Sequence, residues 1–183
     1  QERRNQIMRN ELIDACKSGD EKEVIRLLEE GENINEVTCD GYSPLYIACR
    51  DERENVVRAL LERGARVSVR DNYGYSALHV ACHSRNRNII KMLLGENSIV
   101  NDRKCDEDST VNAITRYGDS PVYIACADGN EDIVKLLIDN GADINIRDSN
   151  GCTLLHIACE RGCKRTAEIL IMKGIDIEAI DKD

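Results

Sequence analysis

The chain has 183 residues, of which 42% are hydrophobic and 32% are charged, a balance typical of a soluble folded protein and not of a disordered one. Its formal net charge of −9 argues against general affinity for nucleic acids or membrane surfaces. No apolar run approaches the roughly 18 residues of a membrane span, and aromatic residues make up only 3%, so Leu, Ile, Val, Ala and Cys must supply the core.

The pair Ala-Cys recurs along the chain and reveals an internal repeat. Its Ala residues stand at positions 15, 48, 81, 125 and 158, so the intervals are 33, 33, 44 and 33 residues. Single glycines at positions 41, 74, 118 and 151 keep the same phase. A period of this length predicts a solenoid in which each unit packs against its neighbours.

Each unit predicts two short helices in chain order. The first contains segments such as Ser43–Cys49, whose Ser can cap the helix, and Pro44 and Pro121 take the first helical position, where a missing N–H costs nothing. The second helix places apolar residues at helical spacing, as at positions 56, 57, 60 and 61. Glycines at positions 31, 64, 141 and 174 follow it, as a left-handed helix end requires.

The segment after each second helix predicts an extended finger with a turn at its tip. Residues 142–150 illustrate the pattern, with alternating apolar and polar residues followed by a turn that ends at Gly151.

The period and the motif at the start of each first helix resemble the ankyrin repeat. Its Ser/Thr-Pro-Leu-His-x-Ala signature is matched by residues 43–48, 76–81, 120–125 and 153–158. Tyr46 and Tyr123 replace the signature His, while Ala77 and Leu154 replace its Pro. The resemblance covers nearly the whole chain and implies a mainly α solenoid of stacked helix-turn-helix units with β-hairpin-like fingers.

We therefore expect one ankyrin-repeat domain over residues 1–183. Its first unit, at about 7–39, is expected to act as a cap because its outer face is polar, and the next units span 40–72, 73–116, 117–149 and 150–183. The sequence of the last unit predicts an edge without a cap. The apolar residues of its second helix would there pack against a sixth unit: Ala167, Ile169, Leu170, Ile171 and Met172.

The turn between the paired helices departs from the family pattern in two units. Gly19, Gly129 and Gly162 hold the position where ankyrin repeats place a left-handed glycine, whereas Glu52 and Arg85 stand there in units two and three. A side chain in that conformation costs roughly 1 kcal/mol. We expect those two turns to be looser or to adopt another conformation, and we expect Asn97 to take the place of the glycine that ends the second helix of unit three.

The 11 extra residues of the longest interval lie between residues 101 and 112, in the finger between units three and four. They lengthen one finger as a solvated loop, or they form a finger that contacts a partner, since long loops often carry function. The sequence leaves both open, and it predicts that residues 101–110 are the most mobile internal segment.

The cysteines and histidines predict structural roles. The phased Cys residues would stack one per layer at the 8–10 Å spacing of packed helices, beyond disulfide reach, as small buried hydrophobes. We expect no disulfide, metal or cofactor, and the unpaired thiols favour the cytosol or nucleus.

His79 and His156 stand at the signature position, whose side chain bonds backbone at the finger base. Because no catalytic triad or phosphate-binding loop can be placed, we expect no enzyme.

The tyrosines and arginines of units two to four indicate a binding surface. All six Tyr fall in these fingers or the adjacent helix starts, and residues 50–91 hold nine Lys/Arg against five Asp/Glu. The alternative is that the rings pack on neighbouring fingers and the charges form a solvated face. Tyr and Arg are frequent interface anchors. The predicted partner-binding residues are Tyr42, Arg66, Arg70, Tyr73, Tyr75, Arg116 and Tyr117.

The sequence thus predicts a monomeric protein-interaction scaffold within a larger protein. Its partner would be another protein or a peptide segment, with acidic character to match the arginines. Nucleic acids and membranes are not expected as partners. Two alternatives stay open at this point: a regulatory module that masks a catalytic domain of the same chain, and a structural spacer.

Overall fold

The computed structural model describes residues 10–95, 110–148 and 150–180. Within these ranges the chain forms ten α-helices in five pairs. The first helices of the pairs are α1 (Glu11–Ser18), α3 (Pro44–Arg50), α5 (Ala77–Ser84), α7 (Pro121–Ala127) and α9 (Leu154–Glu160). The second helices are α2 (Glu21–Glu29), α4 (Glu54–Glu62), α6 (Arg87–Leu93), α8 (Glu131–Asp139) and α10 (Lys164–Met172).

The pairs stack in one direction. The first helices contact one another in an unbroken row from α1 to α9, and the second helices contact along α2, α4 and α6 and between α8 and α10. Each second helix also packs on the first helix of its own pair. The prediction of a stacked helix-turn-helix solenoid is confirmed.

Polar side chains start most of the helices, as the sequence predicts. Ser43 Oγ accepts a hydrogen bond from the N–H of Tyr46 at 3.1 Å, and Ser120 and Thr153 cap α7 and α9 in the same way. Pro44 and Pro121 occupy the first turn of α3 and α7. These local bonds satisfy N–H groups that have no partner inside a helix.

The end of α6 differs from the prediction. Helix α6 stops at Leu93, and Gly95 adopts the left-handed conformation with φ of 78°. The helix therefore ends two residues earlier than the repeat phase places it, because Gly95 enters that conformation without steric cost. The prediction that Asn97 fills this role is wrong in that respect, and Asn97 itself lies outside the described residues. So does most of the predicted mobile segment 101–110, up to residue 109.

The turns at Glu52 and Arg85 keep the left-handed conformation, so the expectation of a different one is wrong. Their φ angles are 57° and 59°, close to the 67° of Gly129 and Gly162 at the equivalent positions. The surrounding contacts hold the strained residues in place. Arg53 N–H donates to the Ala48 carbonyl at 2.9 Å, and Arg85 Nη2 donates to the Asp128 carbonyl of the next unit at 2.9 Å.

The core consists of thin aliphatic layers, and the phased cysteines belong to it in four units. Cys16, Cys49, Cys82 and Cys126 have no exposed surface. Cys159 is exposed, which corrects the prediction for the fifth unit. The residue type is the same, but no described unit packs over the outer side of unit five.

The same edge shows a graded exposure along α10. Leu170 is fully buried, which corrects its assignment to the uncapped face, and Ala167 and Ile169 are partly buried against the core. Ile171 and Met172 are exposed, as predicted. Leu170 is covered because its side of the helix faces the core of the array rather than the edge.

The fingers are hairpin-like turns, and the described residues contain only isolated antiparallel bridges, at Arg70 with Ser76 and Arg147 with Thr153. Neighbouring fingers are joined by hydrogen bonds. Asn72 N–H donates to the Asp40 carbonyl at 3.1 Å, and Asp143 N–H donates to Asn112 Oδ1 at 2.8 Å. The fingers therefore form a continuous row along one side of the helical stack.

Candidate partner-binding surface

The finger tips of units two and three are built on one buried polar side chain each. Asp71 Oδ1 accepts hydrogen bonds from the N–H groups of Tyr73 at 2.9 Å and Tyr75 at 2.8 Å. Thr115 Oγ1 accepts equivalent bonds from Tyr117 and Asp119 at 3.2 and 3.1 Å. The tip backbone is thereby fixed before any ligand is present, and each tip carries one exposed tyrosine, Tyr73 or Tyr117.

These two tyrosines meet across neighbouring fingers. The rings of Tyr73 and Tyr117 stack with centroids 6.3 Å apart and an interplanar angle of 18°, and the side chains are 51% and 60% exposed. The Arg116 N–H donates to the Tyr73 carbonyl at 2.8 Å, which locks the two tips together. Gly74 allows this approach, because a Cβ there would lie 3.1 Å from the Thr115 backbone.

Arginine and isoleucine residues accompany the ring pair in the same two fingers. Arg70 is exposed, and its Nη1 donates to the Ile114 carbonyl of the next finger at 3.3 Å. Ile114 is 57% exposed although it is a large aliphatic residue, and Arg116 is exposed beside Tyr117. We call this set the finger patch: Arg70, Tyr73, Ile114, Arg116 and Tyr117.

Two predicted tyrosines have structural contacts instead. Tyr42 stacks on Tyr46 at 4.7 Å, and the Arg50 guanidinium carbon lies 6.0 Å from its ring centre. Tyr75 packs edge-on against His79 at 5.7 Å, and its hydroxyl donates to Asp119 Oδ2 at 3.4 Å. Burial raises the pKa of Tyr75, in keeping with its partly enclosed position. Tyr42 thus packs within its own unit, whereas Tyr75 links its unit to the next finger.

Arg66 stands at the start of its finger rather than at the tip. Its backbone N–H donates to Asn35 Oδ1 at 2.8 Å, and its side chain is exposed. Of the seven predicted residues, four therefore come together in the finger patch: Arg70, Tyr73, Arg116 and Tyr117.

Ile114 is the patch residue that sequence reasoning missed. It stands four residues before Gly118, as Arg70 stands four residues before Gly74, so alignment of the fingers on their glycines would have found it. From its apolar character alone, such a residue near a finger tip is predicted to be buried in the core. Its exposure becomes evident only once the fingers are stacked.

His79 holds the base of the patch together. Its Nδ1 accepts from the Ser76 N–H at 3.1 Å, so the proton resides on Nε2, which donates to the carbonyls of Ala113 and Asp119 at 3.1 and 3.2 Å. Burial lowers the pKa of His79 to about 4. The predicted structural role of this histidine is confirmed, because its neutral ring joins the fingers of two units.

No cluster of three His, Cys, Asp or Glu side chains suited to a metal ion occurs in the ranges that the structure describes. Within the same ranges, none of the helices has the length and hydrophobicity required to cross a bilayer.

Comparison with known proteins agrees with this architecture. A family model described as ankyrin repeats (3 copies) matches residues 12–105 and 103–181. No curated protein sequence matches the chain. Ankyrin-repeat domains are generally protein–protein interaction modules and typically non-catalytic. The period, the stacked helix pairs, the adjoining fingers and this match, which spans most of the chain, show that the protein belongs to the ankyrin-repeat family.

Proposed function

We propose that this protein binds an acidic segment of another protein at the finger patch. The observation that carries the proposal is the stacked, half-exposed pair Tyr73 and Tyr117, held between two neighbouring fingers. A soluble surface gains little from two large rings left in water, whereas an interface gains much from covering them.

The rings are suited to binding because their position is already fixed. Asp71 and Thr115 hold the tip backbone, and the bond from Arg116 N–H to the Tyr73 carbonyl joins the tips. A partner that covers the pair therefore orders few additional bonds, and little conformational entropy is lost on association.

The arginines supply the charge preference. The guanidinium of Arg70 is anchored through Nη1 on the Ile114 carbonyl, and a guanidinium carries five N–H donors in a plane. An anchored guanidinium at the surface can bind a carboxylate through two parallel hydrogen bonds. Arg116 adds a second exposed cation to the same patch.

The proposal is tested with a random peptide library displayed on phage and selected on the folded protein. We expect the selected peptides to be enriched in Asp and Glu. For the tightest of them, Arg70→Ala and Tyr73→Ala should each weaken binding by roughly 1–3 kcal/mol, as truncation of an interface anchor does, with folding stability almost unchanged. Isothermal titration calorimetry measures the affinities and chemical denaturation measures the stabilities.

Arg58 offers a matched control. It is an exposed arginine on α4, one of the second helices and outside the fingers, so Arg58→Ala should leave the affinity as it is. If selected peptides still bind the combined Arg66, Arg70 and Tyr73 alanine variant with wild-type affinity, the finger patch is not the binding surface.

A further inference from the structure

One position of the finger alternates between apolar and cationic residues along the whole array. Four residues before the glycine of each finger stand Val37, Arg70, Ile114 and Arg147. Ile180 takes the same place after α10, because Arg147 Nη1 donates to the Ile180 carbonyl at 2.7 Å as Arg70 Nη1 donates to the Ile114 carbonyl at 3.3 Å. We call these five residues the finger row.

All five side chains of the finger row are exposed. Val37, Ile114 and Ile180 are exposed to 47%, 57% and 81%, which is high for aliphatic residues, and Arg70 and Arg147 are exposed as well. Each arginine is also held by the carbonyl of the following finger. The finger row therefore presents oriented cations separated by uncovered aliphatic side chains.

The row is unbroken where the long insertion enters the chain. The insertion lies between Arg70 and Ile114 in the chain, and the two fingers that carry these residues are joined by the bonds from the Arg116 N–H to the Tyr73 carbonyl and from Arg70 Nη1 to the Ile114 carbonyl. Asn112 joins the next pair of fingers, since its Oδ1 accepts from the Asp143 N–H at 2.8 Å and its Nδ2 donates to the Gly141 carbonyl at 3.1 Å. The step from Ile114 to Arg147 is thus one unit wide, like the step from Arg70 to Ile114.

The spacing of the row selects a conformation of the partner. Packed helices repeat at about 8–10 Å, and a polyproline II helix repeats every three residues at about 3.1 Å each, or roughly 9 Å per turn. A β-strand covers a similar distance in three residues, but it turns its first and fourth side chains to opposite faces. A polyproline II segment presents every third side chain on one face, in step with the fingers.

The exposed tyrosine pair favours the same partner. Polyproline II segments dock on grooves lined by aromatic rings, since the preformed helix loses little entropy on binding. Tyr73 and Tyr117 stand three residues after Arg70 and Ile114, so the exposed rings and the row residues belong to the same two neighbouring fingers.

We infer that the finger row binds a proline-rich polyproline II segment. In this segment an acidic, an apolar and a second acidic residue follow one another at intervals of three. The two carboxylates bind Arg70 and Arg147, and the apolar residue covers Ile114. This inference rests on the proposed function and names the class of partner that the surface accepts.

The test uses two labelled peptides of equal length and composition, padded with proline. One contains Glu-Pro-Pro-Leu-Pro-Pro-Glu and the other Glu-Pro-Leu-Pro-Glu, and either chain direction presents the same pattern. Fluorescence anisotropy should give a Kd at least about tenfold lower for the peptide with three-residue spacing than for the other. The reason is that the shorter spacing leaves at least one anchor of the peptide without its partner in the finger row. Equal affinities, or no binding of the first peptide, would overturn the inference.

A charge exchange separates recognition from folding. Arg147→Glu should abolish the preference for the three-residue peptide, and a peptide in which one Glu is replaced by Lys should restore binding to this variant. Restored binding also shows that the variant is folded. The matched control is Arg58→Glu on α4, which should leave both affinities unchanged. Failure of the Lys peptide to bind a variant that circular dichroism shows to be folded would contradict the proposed register.

The two proposals fail in different ways. If spacing has no effect while Tyr73→Ala still weakens the binding of displayed peptides, the register is wrong and the finger patch stands. If displayed peptides ignore Tyr73→Ala as well, the proposed function fails together with the inference.

Discussion

Units three and five carry the same signature but differ in their surroundings. In unit three, His79 is fully buried and bridges to the carbonyls of Ala113 and Asp119 in the next finger. In unit five, His156 makes the same local bond, from the Thr153 N–H at 3.2 Å, yet its side chain is only partly buried. The local bond comes from the unit itself, whereas burial comes from the unit that follows.

Other equivalent positions show the same contrast. Cys82 has no exposed surface, whereas Cys159 is exposed. Leu78 is buried, and its counterpart Leu155 is only partly buried. Because one repeat sequence yields two environments, the pair of units can be used to measure how much stability a neighbouring unit contributes.

The largest expected difference is at the signature leucine. Leu78→Ala should lower the free energy of unfolding by about 2–5 kcal/mol, because it removes buried methyl groups and leaves a cavity. Leu155→Ala should lower the free energy of unfolding by only about 1–2 kcal/mol, since part of that side chain already contacts water. Urea denaturation followed by circular dichroism measures both. Equal costs would mean that the neighbouring unit adds little to the burial of this position.

Acid should destabilise the chain through His79. Its pKa in the folded state is about 4, below the ordinary value of 6.5, so the unfolded chain binds more protons between these two values. The contribution of the neutral ring is complete above about pH 6.5 and is lost as the pH falls toward 4. The loss amounts to at most about 3 kcal/mol.

Unfolding free energies at pH 7.5, 5.5 and 4.5 test this for the wild type and for His79→Gln. The Gln variant keeps a side chain that can bond back to the Ser76 N–H, and it should show a smaller decline toward acid. The matched variant His156→Gln retains His79 and should keep the wild-type decline. An undiminished decline in His79→Gln would assign the acid sensitivity to other groups.

The smallest effects are expected at the turn between the paired helices. Arg85→Gly should stabilise unit three by about 0.5–1 kcal/mol at most, because glycine enters the left-handed conformation without strain, while the bond to the Asp128 carbonyl is lost. Gly162→Ala in unit five should destabilise by about 1 kcal/mol, since a Cβ there meets no atom within 4 Å and the cost is conformational. Thermal unfolding of both variants would detect shifts of this size. A stabilising Gly162→Ala would show that this turn changes its conformation.

Sequence reasoning worked best where structure is decided within a few residues. The caps at Ser43, Ser120 and Thr153, the helix ends at Gly64 and Gly141, and the helix pairs themselves follow from local hydrogen bonding and steric rules. It failed at Glu52 and Arg85, which keep a conformation that local propensity disfavours. At Arg85 a hydrogen bond to the Asp128 carbonyl of the next unit holds the side chain, and no single repeat encodes that contact.

For the candidate site, the sequence indicated the residue types and the fingers but not their arrangement. It named Tyr42 and Tyr75 together with Tyr73 and Tyr117, although only the last two are exposed and stacked on each other. Whether a ring faces solvent or a neighbouring unit depends on the stacking of fingers that are more than 40 residues apart in the chain, as for Tyr75 with Asp119.

The sequence by itself determined the period, the helix pairs and the family, because each of these repeats a local pattern of caps, apolar spacing and glycines. Only the tertiary structure decided which copies of that pattern are buried, which arginines are held by the next finger, and which tyrosines meet at the surface. The physical reason is that in a stacked array the environment of a residue is set by the units on either side, and these contacts are not encoded within the repeat that contains it.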